Sequence, residues 1–393
     1  MGRGKSKKAP LPEDVNVKDK ATDEKQPSDQ EAEVENGKRM KRMEDLPGIG
    51  PTTAAKLREL GYTFMGLATA RADEISAEMG PSVSFQKAVA WIKAAQESIL
   101  AVMEPKTGKT LARERKLKRV FYKTGSNDFN TIMGGGFATM RTTGLAGRFS
   151  TGKTQAIYDA IVDCLDENNN AYNFCPLCKY LHDNPVKVCT SCGAEMKRKA
   201  AYIETEPDTY SDERIEGIAR EQKKNIDLDN LWVYPCENIP TAKAQYLQYK
   251  IILKQIQTNN ENIGLVGVDS MTAKFRPGYG RTEMLPVRTR EFTEHFLLID
   301  YLAATYNIAW ILSCQVIGGV RPGAVLAIIM KTGDKQGYYP VGGDYLLHSV
   351  STWVSMSQIK VDFYEAVVFD SNYLPRLRKE FMLTKSGLSD GIK

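Results

Sequence analysis

The chain has 393 residues, 42% of them hydrophobic and 26% charged, with a formal net charge of +5. That length carries two or three domains, one with a large core, and the composition is that of an ordinary globular protein. No run of about 18 apolar residues exists to span a membrane, and the basic start MGRGKSKKAP lacks the apolar stretch of a secretory signal, so an intracellular protein is expected.

Residues 1–43 are rich in Lys, Glu, Asp, Gln and Pro and read as a disordered tail, because so little apolar surface cannot offset chain entropy. Its basic ends, Lys5–Lys8 and Lys38–Arg42, are either solvated or touch nucleic acid phosphates. Residues 44–103 open with MEDLPGIGPTTAAKLRELGY, in which Pro51 starts a helix with Ala54, Leu57 and Leu60 on one face and Gly61 ends it. Further helical stretches follow in MGLATA, ADEISAEMG and SFQKAVAWIKAAQESILAVM. Helix, GIG turn, helix resembles a helix-hairpin-helix element, whose backbone N–H groups near Gly48 and Gly50 can grip a phosphate without reading sequence. The competing reading is a small helical protein-contact domain. Residues 104–120, charged and glycine-containing, read as a linker to a core spanning 121–393, and Gly134–Gly136 marks a turn where no side chain fits.

Within the core, Gly147–Thr154 reads GRFSTGKT, the G-x-x-x-x-G-K-T spacing of a nucleoside-triphosphate loop. Gly147 and Gly152 let the backbone of Arg148, Phe149, Ser150 and Thr151 turn its N–H groups toward phosphate oxygens. Lys153 supplies a charge for the β- and γ-phosphates, Thr154 a hydroxyl for Mg²⁺, and Gln155 continues into a helix with apolar spacing from Ile157 to Leu165.

An insertion at 171–199 follows that helix. Cys175-x-x-Cys178, ten residues, then Cys189-x-x-Cys192 offers four thiolates to a tetrahedral Zn²⁺, a closed and hence structural site that would supply the insertion's folding energy. His182 reads as exposed, and the basic Lys179, Lys187, Lys197, Arg198 and Lys199 suggest DNA or partner contact.

Strand and helix patterns then alternate: strands at 201–203, 231–234, 263–268 and 309–313, with helices at 213–223, 241–257 and 288–306 between them. Strand-like runs at 352–356, 365–369 and 380–383 close the chain. The expected fold is α/β, a mainly parallel twisted sheet flanked by helices and turning antiparallel at its tail, with ligands at the carboxyl ends of the strands. The apolar strand of LVGVDS delivers Asp269 as a second Mg²⁺ ligand. Glu206 emerges at the same edge as a base for attacking water, with Glu204 and Asp208 as rivals, and Gln315 is placed to sense the γ-phosphate.

Together these segments resemble the RecA-fold recombinases, specifically the archaeal RadA and eukaryotic recombinase branch. The likeness runs from about Asp45 to the C-terminus and is carried by LPGIG, the TGS…MGGG lead-in, GKTQ, YIETEP…ERI, VDSMTAKFRPGYGR, QV and GGDYLLHS. It implies a RecA-like ATPase that uses ATP and Mg²⁺, assembles on single-stranded DNA, pairs it with double-stranded DNA, and self-associates into a helical filament or ring without a membrane. An archaeal source would make it cytoplasmic and nucleoid-associated. The resemblance also implies that Arg214 lies near the adenine, and that Asp370 and Pro375 in FDSNYLP cap ATP bound to a neighbouring subunit. Two DNA-facing loops are implied, one offering Arg276, Tyr279, Arg281 and Arg288, the other Arg321, Lys331 and Lys335.

Besides the insertion, the sequence departs from that pattern in four ways. Arg148 replaces an acidic residue, Cys314 stands where an Asn commonly precedes the Gln, and the subunit-joining Phe-x-x-Ala is not evident around SILAVME, Ser98–Glu104. The second loop is also long and apolar, with AVLAIIM. Three functions compete: a strand-exchanging recombinase, an accessory ATPase of the same family that forms no long filament, and a ring-shaped helicase core. The helix-hairpin-helix segment argues against the last.

Overall fold

The computed structural model describes residues 34–35, 38–39, 42–102, 105–275, 282–318, 338–340, 342 and 344–391. A short antiparallel ladder, β1 (Val34–Glu35) with β2 (Lys38–Arg39), falls inside the segment read as a disordered tail; most of that tail lies outside the described residues.

Four helices form the N-terminal unit: α1 (Pro51–Glu59), α2 (Phe64–Thr69), α3 (Ala72–Met79) and α4 (Phe85–Val102). They bury Leu57, Leu67, Ile75 and Trp91, residues spaced to give each helix one apolar stripe. Pro51 sits at the first position of α1, where its missing N–H costs nothing. Gly48 (φ +80°) turns the chain beneath Trp91, whose Nε1 would be 3.2 Å from an added Cβ.

The expected linker carries a helix, α5 (Gly108–Lys118), capped by Thr107 Oγ1 accepting from Thr110 N–H at 3.2 Å. None of its residues is buried, so no apolar stripe betrayed it, but Lys, Arg, Leu and Ala are strong helix formers. It lies against the insertion, with Lys118 Nζ 4.6 Å from the Phe174 ring centre.

The core begins with β3 (Phe121–Tyr122), α6 (Asn127–Ile132) and β4 (Phe137–Ala138). Then come β5 (Arg141–Gly147), α7 (Lys153–Leu165), the insertion strands β6 (Tyr172–Phe174) and β7 (Leu181–Val186), β8 (Lys199–Glu204), α8 (Asp212–Glu221), β9 (Leu231–Tyr234) and α9 (Ala242–Asn259). After β10 (Ile263–Asp269), α10 (Leu285–Tyr306), β11 (Ala309–Gly318), β12 (Tyr338–Pro340) and α11 (Asp344–Ser349), the chain ends in β13 (Thr352–Lys360), β14 (Phe363–Ser371), β15 (Arg378–Thr384) and β16 (Gly387–Asp390).

The main sheet runs β16–β15–β14–β13–β5–β11–β10–β8–β9, with β12 pairing on β11. From β9 to β13 the neighbours are parallel, and from β13 to β16 antiparallel, as the alternation followed by a run of strands implied. All seven residues of β10 are buried, the continuous apolar pattern of a strand covered on both faces. One covering layer contains α9 and α10, through Tyr249, Ile252, Phe292 and Phe296 around Trp310 and Trp353. The other contains α7 and α8, through Ile157, Ile161, Ile215 and Ile218. Gly144 in β5 makes room for Trp353, whose ring carbons would be 2.3 Å from any Cβ there.

Candidate nucleotide site and metal centre

Strand β5 delivers Gly147 to the carboxyl edge of the sheet, and the loop 148–152 turns into α7 through Gly152 at φ +92°. A Cβ on Gly147 would stand 2.4 Å from Met356 O, so the loop closes only on glycine. Lys153 Nζ curls back inside the loop, donating to Gly147 O at 3.0 Å and Arg148 O at 2.6 Å. Burial pulls its ammonium below the usual lysine range, partly opposed by Asp269, Cys314 and Glu206. A polyanion in the loop would relieve that cost. Phe149, by contrast, is 92% exposed and fills no part of the core.

Asp269 ends β10 directly opposite. Its Oδ2 accepts from Thr154 Oγ1 at 2.5 Å and from Tyr202 OH at 3.1 Å, and its Oδ1 accepts from Ser313 Oγ. Burial, then the carboxylate itself, pushes the Tyr202 phenol far up, so it remains a donor. Ser313 and Tyr202 were missed in the sequence reading. Strand register finds Ser313: Val268 pairs with Leu312, which places Asp269 beside Ser313.

The rivals for the base separate by their partners. Glu204 is buried and accepts backbone N–H from Thr209 at 3.0 Å, Tyr210 at 3.1 Å and Cys236 at 3.3 Å, so it braces the turn. Asp208 is exposed in that turn at φ +59°. Glu206 is half-buried, and its Oε1 accepts from Gln315 Nε2 at 2.7 Å. Glu206 and Gln315 thus meet at the strand ends that also carry Gly147 and Asp269.

Arg214 on α8 donates from Nε to Gln155 Oε1 at 2.6 Å and from its terminal nitrogens to Thr384 O and Lys385 O, both at 2.7 Å. It therefore flanks the first turn of α7. Asp370 is not level with the loop of its own chain. It pairs with Trp353, level with Gly144 on β5 and below the loop, and Asp370 and Pro375 are both exposed.

The four insertion cysteines converge. Their sulfurs lie within 4.8 Å of one another, with Cys175–Cys192 at 3.7 Å and Cys178–Cys189 at 3.6 Å. Zn–S bonds of about 2.3 Å at tetrahedral angles separate sulfurs by roughly 3.8 Å. The cluster fits that geometry, and all seven cysteines of the chain are free of disulfides. His182 is buried rather than exposed, edge-on to Tyr180, and stands outside the sulfur cluster.

The insertion's basic residues anchor it instead of forming a patch. Arg198 is fully buried, donating to Asn307 O at 3.0 Å and Tyr122 OH at 3.3 Å, and Lys179 donates to Thr305 O at 2.9 Å near the end of α10. Lys199 pairs with Glu261 at 2.7 Å and Lys197 with Glu167 at 3.4 Å, leaving Lys187 the one fully exposed cation of the five.

Of the residues expected to face DNA, Gly50 is the exposed N-cap of α1, with no side chain covering the helix's first N–H groups, and Gly48 is exposed in the turn before it. Arg288 is half-buried on α10. Arg276, Tyr279, Arg281, Arg321, Lys331 and Lys335 lie outside the described residues.

Comparison with known proteins agrees with this geometry. The Rad51 family profile matches residues 115–171 and 185–391, breaking within the cysteine insertion. The "DNA repair and recombination protein RadA" of Aeropyrum pernix is 32% identical over 362 residues, covering 91% of this chain and 99% of that protein. The RadA proteins of Ignicoccus hospitalis and Methanococcus voltae are each 30% identical, covering 90% and 88% of this chain and 97% and 98% of theirs. With a RecA-like P-loop ATPase core of the RadA type, the chain belongs to the Rad51 family.

Proposed function

We propose that this protein is an ATP-dependent DNA recombinase that assembles on single-stranded DNA and exchanges strands with a homologous duplex. The observation that carries the reading is the contact of Glu206 with Gln315 at the sheet edge that also holds Lys153, Thr154 and Asp269. A plain nucleotide binder needs the phosphate loop and no base. Here a carboxylate is held by an amide on the strand that leads into the second DNA loop, so DNA and hydrolysis have a physical connection. Family membership and near full-length similarity to RadA proteins support the same conclusion.

Bound Mg²⁺ would supply charge neutralisation at the β- and γ-phosphates, with Thr154 and Asp269 as its protein side. Lys153 exchanges the carbonyls of Gly147 and Arg148 for phosphate oxygens. Glu206 takes the proton from the attacking water, and Gln315 orients that carboxylate and reports the γ-phosphate to its loop. Arg214 lies along the base, and Asp370 and Pro375 serve the site of a neighbouring subunit, a reading supported by the place of Asp370 level with Gly144 and not with the loop. Gly48 and Gly50, with Arg276, Tyr279, Arg281, Arg288, Arg321, Lys331 and Lys335, contact DNA phosphates and bases. Cys175, Cys178, Cys189 and Cys192 would hold a Zn²⁺ that ties the insertion together. Among the described residues no helix is long and apolar enough to cross a membrane, and a cytoplasmic, nucleoid-associated protein is consistent with that.

The lack of an evident Phe-x-x-Ala near Ser98–Glu104 favours a second reading, an accessory ATPase that regulates a true recombinase. Electron microscopy on single-stranded DNA separates the two. Regular filaments that require a non-hydrolysable ATP analogue establish the recombinase; isolated particles, rings or short oligomers establish the accessory.

A further inference from the structure

The C-terminal hairpin of β15 and β16 is tied to the nucleotide site by groups that the hydrolysis chemistry leaves unused. Its turn, residues 384–387, rests on α7 and α8. Arg214 holds Thr384 O and Lys385 O and, through Nε, the side chain of Gln155 just past the phosphate loop. One turn further along α7, Asp159 is fully buried. Its Oδ2 accepts from Leu388 N at 2.8 Å and its Oδ1 from Gln222 Nε2 at 2.7 Å, and the same Nε2 reaches Ser386 O at 2.8 Å. Gly387 has φ +87°, and a Cβ there would be 2.0 Å from Asp159 Oδ1, so only glycine lets the turn descend onto the carboxylate. On the strand before the turn, Leu383 reaches Gly152, where an added Cβ would meet Leu383 Cδ2 at 2.9 Å.

A carboxylate buried this completely is costly, and it is kept by the donors it satisfies, which an apolar side chain would orphan. What it supplies is placement. A triphosphate seated at the N-terminus of α7 must send its ribose and base outward, past the first turn of that helix. Gln155, Arg214 and the 384–387 turn are the groups that stand there. With its N–H edges committed to two carbonyls and an amide, Arg214 presents its flat face for stacking.

We propose that Asp159 is a positioning residue for the nucleotide base: through Gln222 and the Leu388 amide it fixes the 384–387 turn, which with Arg214 forms the wall that the base rests on. The proposal depends on the phosphate-loop reading of Gly147–Thr154. Asp159→Asn is nearly isosteric but exchanges an acceptor for a donor. Its neighbours there, Leu388 N–H, Gln222 Nε2 and the Gly125 backbone N–H, are all donors, so one of these contacts must open.

The test titrates the full-length protein with ATP and with inorganic tripolyphosphate, which has the phosphates and no base. Asp159→Asn weakens ATP about tenfold, raising KM with kcat held, while tripolyphosphate affinity stays at the wild-type value. Gln222→Leu, which keeps the carboxylate, shows the same split and guards against a folding defect peculiar to the first variant. Parallel loss of both ligands, or no loss of either, overturns the proposal. Lys153→Ala must weaken both alike; if it spares both, the phosphate-loop reading itself fails, an outcome distinct from failure of the base wall.

Discussion

Thr154 Oγ1 donates to Asp269 Oδ2 at 2.5 Å, joining the end of the phosphate loop to the end of β10 across the sheet edge. In the same gap Lys153 is satisfied only by carbonyls of its own loop. Lys153, Thr154 and Asp269 thus bring a cation, a hydroxyl and a carboxylate together, the groups a triphosphate with its metal requires. Replacing Lys153 with Ala removes a buried charge-assisted contact to phosphate and should cost about 2–3 kcal/mol of ATP binding. Equilibrium binding of a fluorescent ATP analogue measures it, and ATP-stimulated DNA affinity should vanish with it. Unchanged affinity would refute the site.

In the proposed mechanism Glu206 and Gln315 divide binding from chemistry. Glu206→Gln keeps the size of the side chain and its contact to Gln315 but cannot accept a proton. The expectation is ATP affinity within a factor of about two of the parent and hydrolysis slower by about 10²–10⁴, read by phosphate release. Gln315→Ala should keep ATP binding and lose DNA stimulation of hydrolysis. If Glu206→Gln hydrolyses ATP at the parental rate, another group is the base.

How much of this was legible in the sequence depends on how local the chemistry is. The phosphate loop and the two CxxC pairs are spacing motifs, so Gly147–Thr154 and Cys175–Cys192 could be read directly. The alternation of apolar runs gave the order of strands and helices, and even the antiparallel tail. Partners set by strand register were invisible: Tyr202 and Ser313 meet Asp269 only once β8, β10 and β11 are side by side. Helix α5 hid behind its charge, because its apolar neighbours belong to the insertion. Arg198 misled for a related reason. A guanidinium in a run of basic residues looks solvated, and only the fold shows it buried between Tyr122 and Asn307.

The insertion makes a prediction of its own. Its small apolar cluster contains Tyr172, Cys175, Cys189 and Met196, too little to hold a fold without metal. One zinc per chain should copurify, and Cys178→Ser should lower that stoichiometry and expose 171–199 to protease. The core, held by its own sheet, should keep its ATPase activity under a zinc-selective chelator with Mg²⁺ in excess. Metal analysis and limited proteolysis check both halves. Cleanly purified wild-type protein without zinc would remove the metal centre.

His295 gives the core one source of acid sensitivity. It is 1% exposed on α10, edge-on to Tyr249 and Phe275 and tilted against Tyr246, and its Nδ1 has no partner among the described residues. Burial lowers its pKa to about 3, opposed only by a backbone contact at Ala242. The unfolded chain binds this proton below about pH 6.5 and the folded chain does not, so stability falls as pH drops from 6.5 toward 3. At pH 5 the loss from this one group is about 2 kcal/mol. Urea midpoints at pH 7 and pH 5 measure it. His295→Phe, which keeps the aromatic packing and cannot titrate, should reduce the difference by that amount; an unchanged difference would place the acid sensitivity elsewhere. Phe275 stands edge-on to His295, stacks 3.9 Å from Phe292 and directly precedes Arg276 in the chain, so protonation here should also disturb the start of the proposed first DNA loop. DNA affinity should then fall with pH in the wild type and stay level in His295→Phe.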